Sequence, residues 1–366
     1  MKILMTADAV GGVWSYSLEL ARALASHDVE VVIATMGPLP TAAQRADAAT
    51  LENVVLYCSE FKLEWMEDPW ADVERSGEWL QGIASREHVD LVHLNGYSHA
   101  VLPWSQPVLS VAHSCVFTWW NAVHGCDPPP QWSRYRDHVA AGLSASDLVI
   151  APTQAFLRDI QATYDFATPA RVINNGIPFP PTMAEQNARR LPIAVAAGRM
   201  WDEAKDCHTL AEAAEGLKRN VYVAGDLVSP DGRGEAADSM HCLGRLPSDD
   251  MRRWLSRAAV FVHPARYEPF GLSVLEAARC GCALVLSDIP TLRELWDDAA
   301  LFVPPKRPRE LHGALHSLLE DKAMRILFAG KAQARAVRFS AQRMAQEYLA
   351  AYRQLLAKGS KERAVA

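Results

Sequence analysis

Short runs of consecutive apolar residues recur along this chain, separated by longer stretches in which the apolar positions fall three or four apart. In the first half the runs are Ile3–Ala7, Val29–Thr35, Val54–Cys58, Leu91–Leu94, Val108–His113 and Leu148–Ala151. Runs this short without polar alternation predict strands covered on both faces, and the helical spacing between them predicts a parallel sheet wound by helices. The second half repeats the rhythm at Ile193–Ala197, Val221–Ala224, Cys242–Leu243, Val260–His263, Ala283–Ser287 and Ala300–Val303. The expected fold class is therefore α/β, with two Rossmann-like domains.

The segment Asn174-Asn175-Gly176-Ile177-Pro178-Phe179-Pro180-Pro181 combines turn residues with prolines, which suits a connection between domains. This predicts an N-terminal domain over residues 1–180 and a C-terminal domain over 181–338. Ser340 is a helix N-cap candidate, and Met344, Tyr348, Tyr352 and Leu355 then form one apolar stripe, making 339–366 a final helix with a tail.

A chain of 366 residues, 49% hydrophobic and 22% charged, has the material for two cores. Its net charge of −6 and the lack of a basic stripe exclude phosphate-driven nucleic-acid binding. The first residues read as a strand rather than a signal peptide, and no apolar run reaches the roughly 20 residues of a membrane span. A cytoplasmic protein is expected, with transient contact at the inner membrane face kept open by Arg134, Arg136 and His138. Seven cysteines without a C-x-x-C pair predict free thiols. His312 and His316 lack the intervening glutamate of a zinc-protease motif and predict a plain helix face.

The candidate chemistry begins at Tyr267-Glu268-Pro269-Phe270-Gly271-Leu272-Ser273-Val274-Leu275-Glu276, between an apolar strand and a helix that Gly281 stops. Backbone N–H groups at Gly271 and Leu272 would open that helix, where unpaired donors and about half a positive charge favour a phosphate. Glu276, one turn further in, would accept from ribose hydroxyls, and Glu268 on the loop would hold a sugar. A second strand, Ile193–Ala197, runs into Gly198-Arg199-Met200-Trp201-Asp202-Glu203-Ala204-Lys205-Asp206, placing Arg199 and Lys205 beyond a strand's carboxyl end, where open α/β sheets bind ligands. Near the N-terminus, Gly11 and Gly12 let a strand–helix loop approach a ligand, but the spacing of a dinucleotide fingerprint is not met, which disfavours an NAD enzyme. Eight of the eleven tryptophans lie in the first 132 residues, and Trp119-Trp120 opens a proline-rich loop whose aromatic faces could stack on a sugar ring.

The string Glu268-Pro269-Phe270-Gly271-Leu272 with Glu276 resembles the Glu-x7-Glu signature of retaining glycosyltransferases of family 4, the glycosyl transferases group 1, which have the GT-B fold. The resemblance implies two Rossmann-like domains facing across a cleft, with the last helix crossing back onto the N-terminal domain. It makes Arg199 and Lys205 the diphosphate ligands and, with His113 and Glu268, the catalytic set. Gly11, Gly12, Phe270, Gly271, Leu272 and Glu276 become donor-binding residues. The loop carrying Arg245 and Leu246 reads the nucleobase, and His113 meets the reacting sugar. The implied reaction moves a sugar from a nucleotide diphosphate, UDP favoured and GDP second, to a hydroxyl of a carbohydrate, glycolipid or small molecule. The chain has no Asp-x-Asp metal anchor, so no metal or other cofactor is expected. Two other readings stay open: an epimerase or hydrolase of the same fold, and a sugar-nucleotide-binding subunit without turnover.

Overall fold

The computed structural model describes residues 1–178, 190–228 and 238–365. One unit comprises Met1–Asn121, Cys126–Pro178 and Ala341–Ala366, and the other Ala122–Gly125 and Phe179–Ser340. The expected boundary at residue 180 lies outside the described residues.

The first unit is built on seven parallel strands: β1 (Lys2–Asp8), β2 (Glu30–Met36), β3 (Val54–Cys58), β4 (Leu91–Leu94), β5 (Val108–Val111), β6 (Leu148–Ala151) and β7 (Ala170–Val172). Their order is β3-β2-β1-β4-β5-β6-β7. In β1 the five residues Ile3 to Ala7 are buried in succession, as a strand covered on both faces requires. The sequence reading missed β7, whose three residues are only partly buried at the sheet edge. Helix Gly12–Leu24 follows β1, and the final helix, Ala341–Val365, packs against it. The stripe Met344, Tyr348, Tyr352 and Leu355 is buried, and each such side chain stabilises the fold by about 2 kcal/mol.

The second unit holds β8 (Leu191–Ala197), β9 (Val221–Ala224), β10 (His241–Gly244), β11 (Ala258–His263), β12 (Ala283–Ser287) and β13 (Ala300–Val303). They form a second parallel sheet, ordered β10-β9-β8-β11-β12-β13. Its core packs Val195-side neighbours Ala194 and Ala196 with Val260, Val262, Val285, Leu311, Leu315 and Leu318.

Each sheet reverses its winding at one place, between β1 and β4 in the first and between β8 and β11 in the second. At such a point the two connections leave in opposite directions, and a crevice opens beyond the strands' carboxyl ends. The residues just past those ends are Ala9 to Gly12 and Asn95 in one unit. In the other they are Gly198 to Lys205 and Pro264 to Gly271.

Candidate active site

Past β8 the chain makes a short 3-10 turn, Glu203–Lys205, started by Asp202, whose carboxylate accepts from Ala204 N–H at 3.0 Å. The turn closes at Asp206 in a left-handed conformation, φ 51°. The loop after β11 grips this turn twice. Arg266 N–H donates to Ala204 O at 2.8 Å, and the Arg266 guanidinium pairs with the buried Asp206 carboxylate at 3.1 Å. Two loops from the two strands flanking the switch point are thereby fixed to each other, and they carry Lys205 and Glu268.

Lys205 Nζ lies 2.7 Å from Glu268 Oε2, and the same oxygen accepts from His263 Nε2 at 3.0 Å. Both carboxylate and ammonium are largely buried, at 14% and 16% side-chain exposure, so the pair is weakly screened. Burial alone would raise the Glu268 pKa, yet Lys205 and the His263 N–H outweigh it and hold the carboxyl well below the usual carboxylate range. Burial pushes the His263 pKa down, so its ring is a neutral donor. Thr291 Oγ1 donates to the Glu268 carbonyl at 2.6 Å and fixes the backbone beneath the side chain. An ammonium has three donors, so the pairing with Glu268 does not exhaust Lys205.

Arg199 is more open, with 44% side-chain exposure. It lies 3.6 Å from Asp202 and over the Trp201 ring at 5.7 Å. Gly225, behind this loop, is required by close approach. A Cβ on Gly225, at φ +128°, would stand 1.8 Å from Gly198 O. Gly198 N–H itself donates to Ala224 O at 3.0 Å.

Gly271 caps helix Leu272–Arg279 with φ 86°, a left-handed turn that side chains other than glycine's rarely adopt. The first intrahelical bond is Leu275 N–H to Gly271 O, so the N–H groups of the opening turn point along the axis, the arrangement that suits a phosphate. Glu276 sits in the fifth helical position and is partly buried. Phe270 is 3% exposed and its ring packs edge-on against Phe339. Arg245 and Leu246 follow β10, and Arg245 is exposed and paired with Asp226 at 2.7 Å.

In the first unit Gly11 and Gly12 open helix Gly12–Leu24 and are exposed. A Cβ on Gly11 would meet nothing within 4 Å, so protein packing does not explain that glycine. His113 follows β5 and its Nε2 lies 2.8 Å from Asn95 Oδ1. Dense surrounding protein pushes its pKa down to about 3, although the residue keeps partial exposure. Trp119 and Trp120 correct the loop expectation: they belong to helix Val116–His124, their rings 5.9 Å apart and edge-on. His312 Nδ1 bonds to Ala213 O at 2.9 Å, consistent with a packed helix face.

Several residues at these sites carry no local sequence signal: Asp202, Asp206, Arg266 and Thr291 around Glu268, and His93 and Asn95 beside His113. His263 alone was findable, as the last residue of a strand five positions before Glu268. Among the described residues no group of three or more His, Cys, Asp or Glu side chains has metal-holding geometry, and no helix is long and apolar enough to cross a membrane.

The family model for glycosyltransferase family 4 matches residues 10–179, and that for glycosyl transferases group 1 matches residues 191–321. O-antigen chain mannosyltransferase B of Escherichia coli is 31% identical over 123 residues, 34% of this chain and 32% of that protein. The chain therefore spans about a third of that relative's length. D-inositol 3-phosphate glycosyltransferase of Acidothermus cellulolyticus is 25% identical over 401 residues, covering 95% of this chain and 86% of that one. Among solved structures, sucrose-phosphate synthase from Thermosynechococcus elongatus superposes with a TM-score of 0.81 at 20% identity, over 98% of this chain and 100% of that one. Anabaena HepE in complex with UDP-glucose gives 0.73 at 18% identity, over 98% and 100%. At those identities the two structures speak for the fold alone. The two family models together take in every strand except β1 and the loops bearing Arg199, Lys205, Glu268 and Glu276, and the chain belongs to the family 4, group 1 glycosyltransferases, enzymes that use nucleotide sugars.

Proposed function

We propose that this enzyme moves a sugar from a nucleoside diphosphate to an acceptor hydroxyl with retention of anomeric configuration and without a metal. The observation that carries the reading is the Lys205–Glu268 pair at the β8/β11 switch point, with Arg199 and the Gly271 helix start alongside it. A departing diphosphate carries about two negative charges, and a guanidinium, an ammonium and helix N–H groups neutralise it without a cation. Glu268 holds sugar hydroxyls, Glu276 the ribose, and the backbone near Arg245 and Leu246 the base. His113 and the Gly11-Gly12 loop complete the donor contacts.

The leaving phosphate takes the acceptor's proton on the face from which it departs, so catalysis is positioning and charge stabilisation. We assign residues 1–180 to the acceptor, 181–338 to the donor and 339–366 to a helix of the acceptor side, with Trp119 and Trp120 as acceptor contacts. UDP is the favoured carrier, in keeping with the UDP-glucose held by Anabaena HepE, and GDP the second. The acceptor class is a carbohydrate, glycolipid or small molecule. The free, exposed thiols of Cys58, Cys126 and Cys242 suit the reducing cytoplasm, with transient membrane contact compatible.

The test is a panel of UDP, GDP and ADP sugars, scored by thermal stabilisation and nucleotide release with and without EDTA. One carrier should stabilise the protein and be slowly cleaved in EDTA, and Glu276→Ala should weaken that binding. Donor converted to an epimer in the absence of acceptor would instead identify an epimerase.

A further inference from the structure

Asn95 begins the connection after β4, at the switch point of the first sheet, and is tied down on every side. Its backbone N–H donates to Thr6 Oγ1 at 2.8 Å. Its side-chain nitrogen donates to Thr6 O at 2.6 Å and to Ser17 Oγ at 3.3 Å. A carbonyl oxygen accepts and never donates, so the contact with Thr6 O fixes which end of the amide is nitrogen. The amide oxygen must then face the other way, and it does so toward two imidazoles: His113 Nε2 at 2.8 Å and His93 Nε2 at 3.2 Å.

An amide oxygen cannot donate either, so both Nε2 atoms carry protons. The remaining partners are neutral. Tyr16 OH lies 3.3 Å from His93 Nε2, and Tyr352 OH, from the final helix, lies 2.7 Å from His93 Nδ1. The tyrosine rings packed around the two imidazoles are Tyr16, Tyr348 and Tyr352, the Glu347 carboxylate acting on Tyr348, and burial is the main influence on both histidines. Burial raises the pKa of all three tyrosines and pushes His93 down to about 3. A neutral imidazole has one N–H, so each ring presents a bare Nδ1. In His93 that lone pair accepts from Tyr352. The Tyr16 ring, 4.5 Å from the His113 ring and edge-on, holds the second imidazole in place.

We propose that Asn95 is a positioning residue that locks His113 in its Nε2–H tautomer and so makes Nδ1 an acceptor for a substrate hydroxyl. The arrangement lets His113 select a hydroxyl as donor of the hydrogen bond and reject a carbonyl or phosphate oxygen at that place. Reversing the tautomer would require the Asn95 amide to turn over, which sets its NH2 against the Nε2–H of His93 and leaves Thr6 O facing an oxygen. His93, held by Tyr352, closes the other side of the amide oxygen. The use made of Nδ1 rests on the reading of His113 as a sugar contact, whereas the tautomer itself does not.

The test is the histidine nitrogen spectrum of 15N-labelled full-length protein without donor, with the His113→Gln variant identifying the His113 signals. The expected pattern is a protonated Nε2 and a bare Nδ1 persisting down to about pH 5. A protonated Nδ1 with a bare Nε2 overturns the proposal. The second measurement is nucleotide release by Asn95→Asp across pH. A carboxylate there still accepts from Nε2–H but favours the imidazolium, whose Nδ1 donates. One carboxylate oxygen then faces Thr6 O, a loss common to every pH, and beyond it release should drop a further factor of about ten at low pH, the loss of one hydrogen bond and the gain of a repulsive one, with that further part recovered as pH rises. A loss of the same size at every pH marks Asn95 as merely structural and contradicts the proposal. If the spectrum is as expected while His113→Gln releases nucleotide at the native rate, the tautomer stands and the placement of His113 at the sugar is wrong.

Discussion

Lys205 and Glu268 form a largely buried ion pair at 2.7 Å, joining the loops that follow β8 and β11. The pair couples the stability of the second unit to its chemistry, since the cation we assign to the leaving group also neutralises the carboxylate we assign to the sugar. Removing one member of such a pair strands the other. Lys205→Ala should destabilise the protein by about 3 kcal/mol, and adding Glu268→Gln should recover part of that loss because the stranded charge is gone. Chemical denaturation of the two variants measures this, and an additive pair of losses would count against the coupling.

His93 and His113 both have pKa values near 3 in the folded protein, against about 6.5 when exposed. Between those values the unfolded chain binds protons that the folded rings exclude. Stability is therefore full above about pH 6.5 and falls as pH drops toward 3, each ring contributing a slope approaching 1.4 kcal/mol per pH unit, as order of magnitude. His113→Gln should flatten the decline of the urea midpoint between pH 7.5 and pH 5 by about one such increment. An unchanged slope would mean that His113 is protonated in the folded state.

Gly225 supports Arg199 from behind. A methyl group there would stand 1.8 Å from Gly198 O, a backbone atom that cannot swing aside, at φ +128°. Gly225→Ala should cost about 3 kcal/mol or more through strain and clash, and should reduce donor affinity by displacing the loop after β8. Thermal melting with and without donor reads both effects. Native stability in this variant would show that the β8/β9 ends tolerate separation.

The strands were largely legible because parallel strands covered on both faces leave unbroken apolar runs, as in Ile3 to Ala7. β7 escaped because Ala170–Val172 is too short and too exposed at the edge for such a run. Glu268, Gly271 and Glu276 were legible through local spacing around one helix start. Asp206, Arg266, Thr291 and Asn95 were not, since each is tied to a partner 18 to 89 residues away. Trp119 and Trp120 were read into a loop because the prolines at 128–130 dominate the segment, yet helix Val116–His124 ends before them.

Arg199→Ala tests the central claim most directly, because this side chain is 44% exposed and its carboxylate partner among the described residues, Asp202, is 3.6 Å away. The variant should fold as the native protein does, within about 0.5 kcal/mol. Its single-turnover release of nucleotide from the donor that stabilises the native enzyme should be slower by about 100-fold, the cost of one donor to a developing charge. Native release by a folded Arg199→Ala protein would contradict the assignment of the β8/β11 switch point as the site that holds the leaving diphosphate.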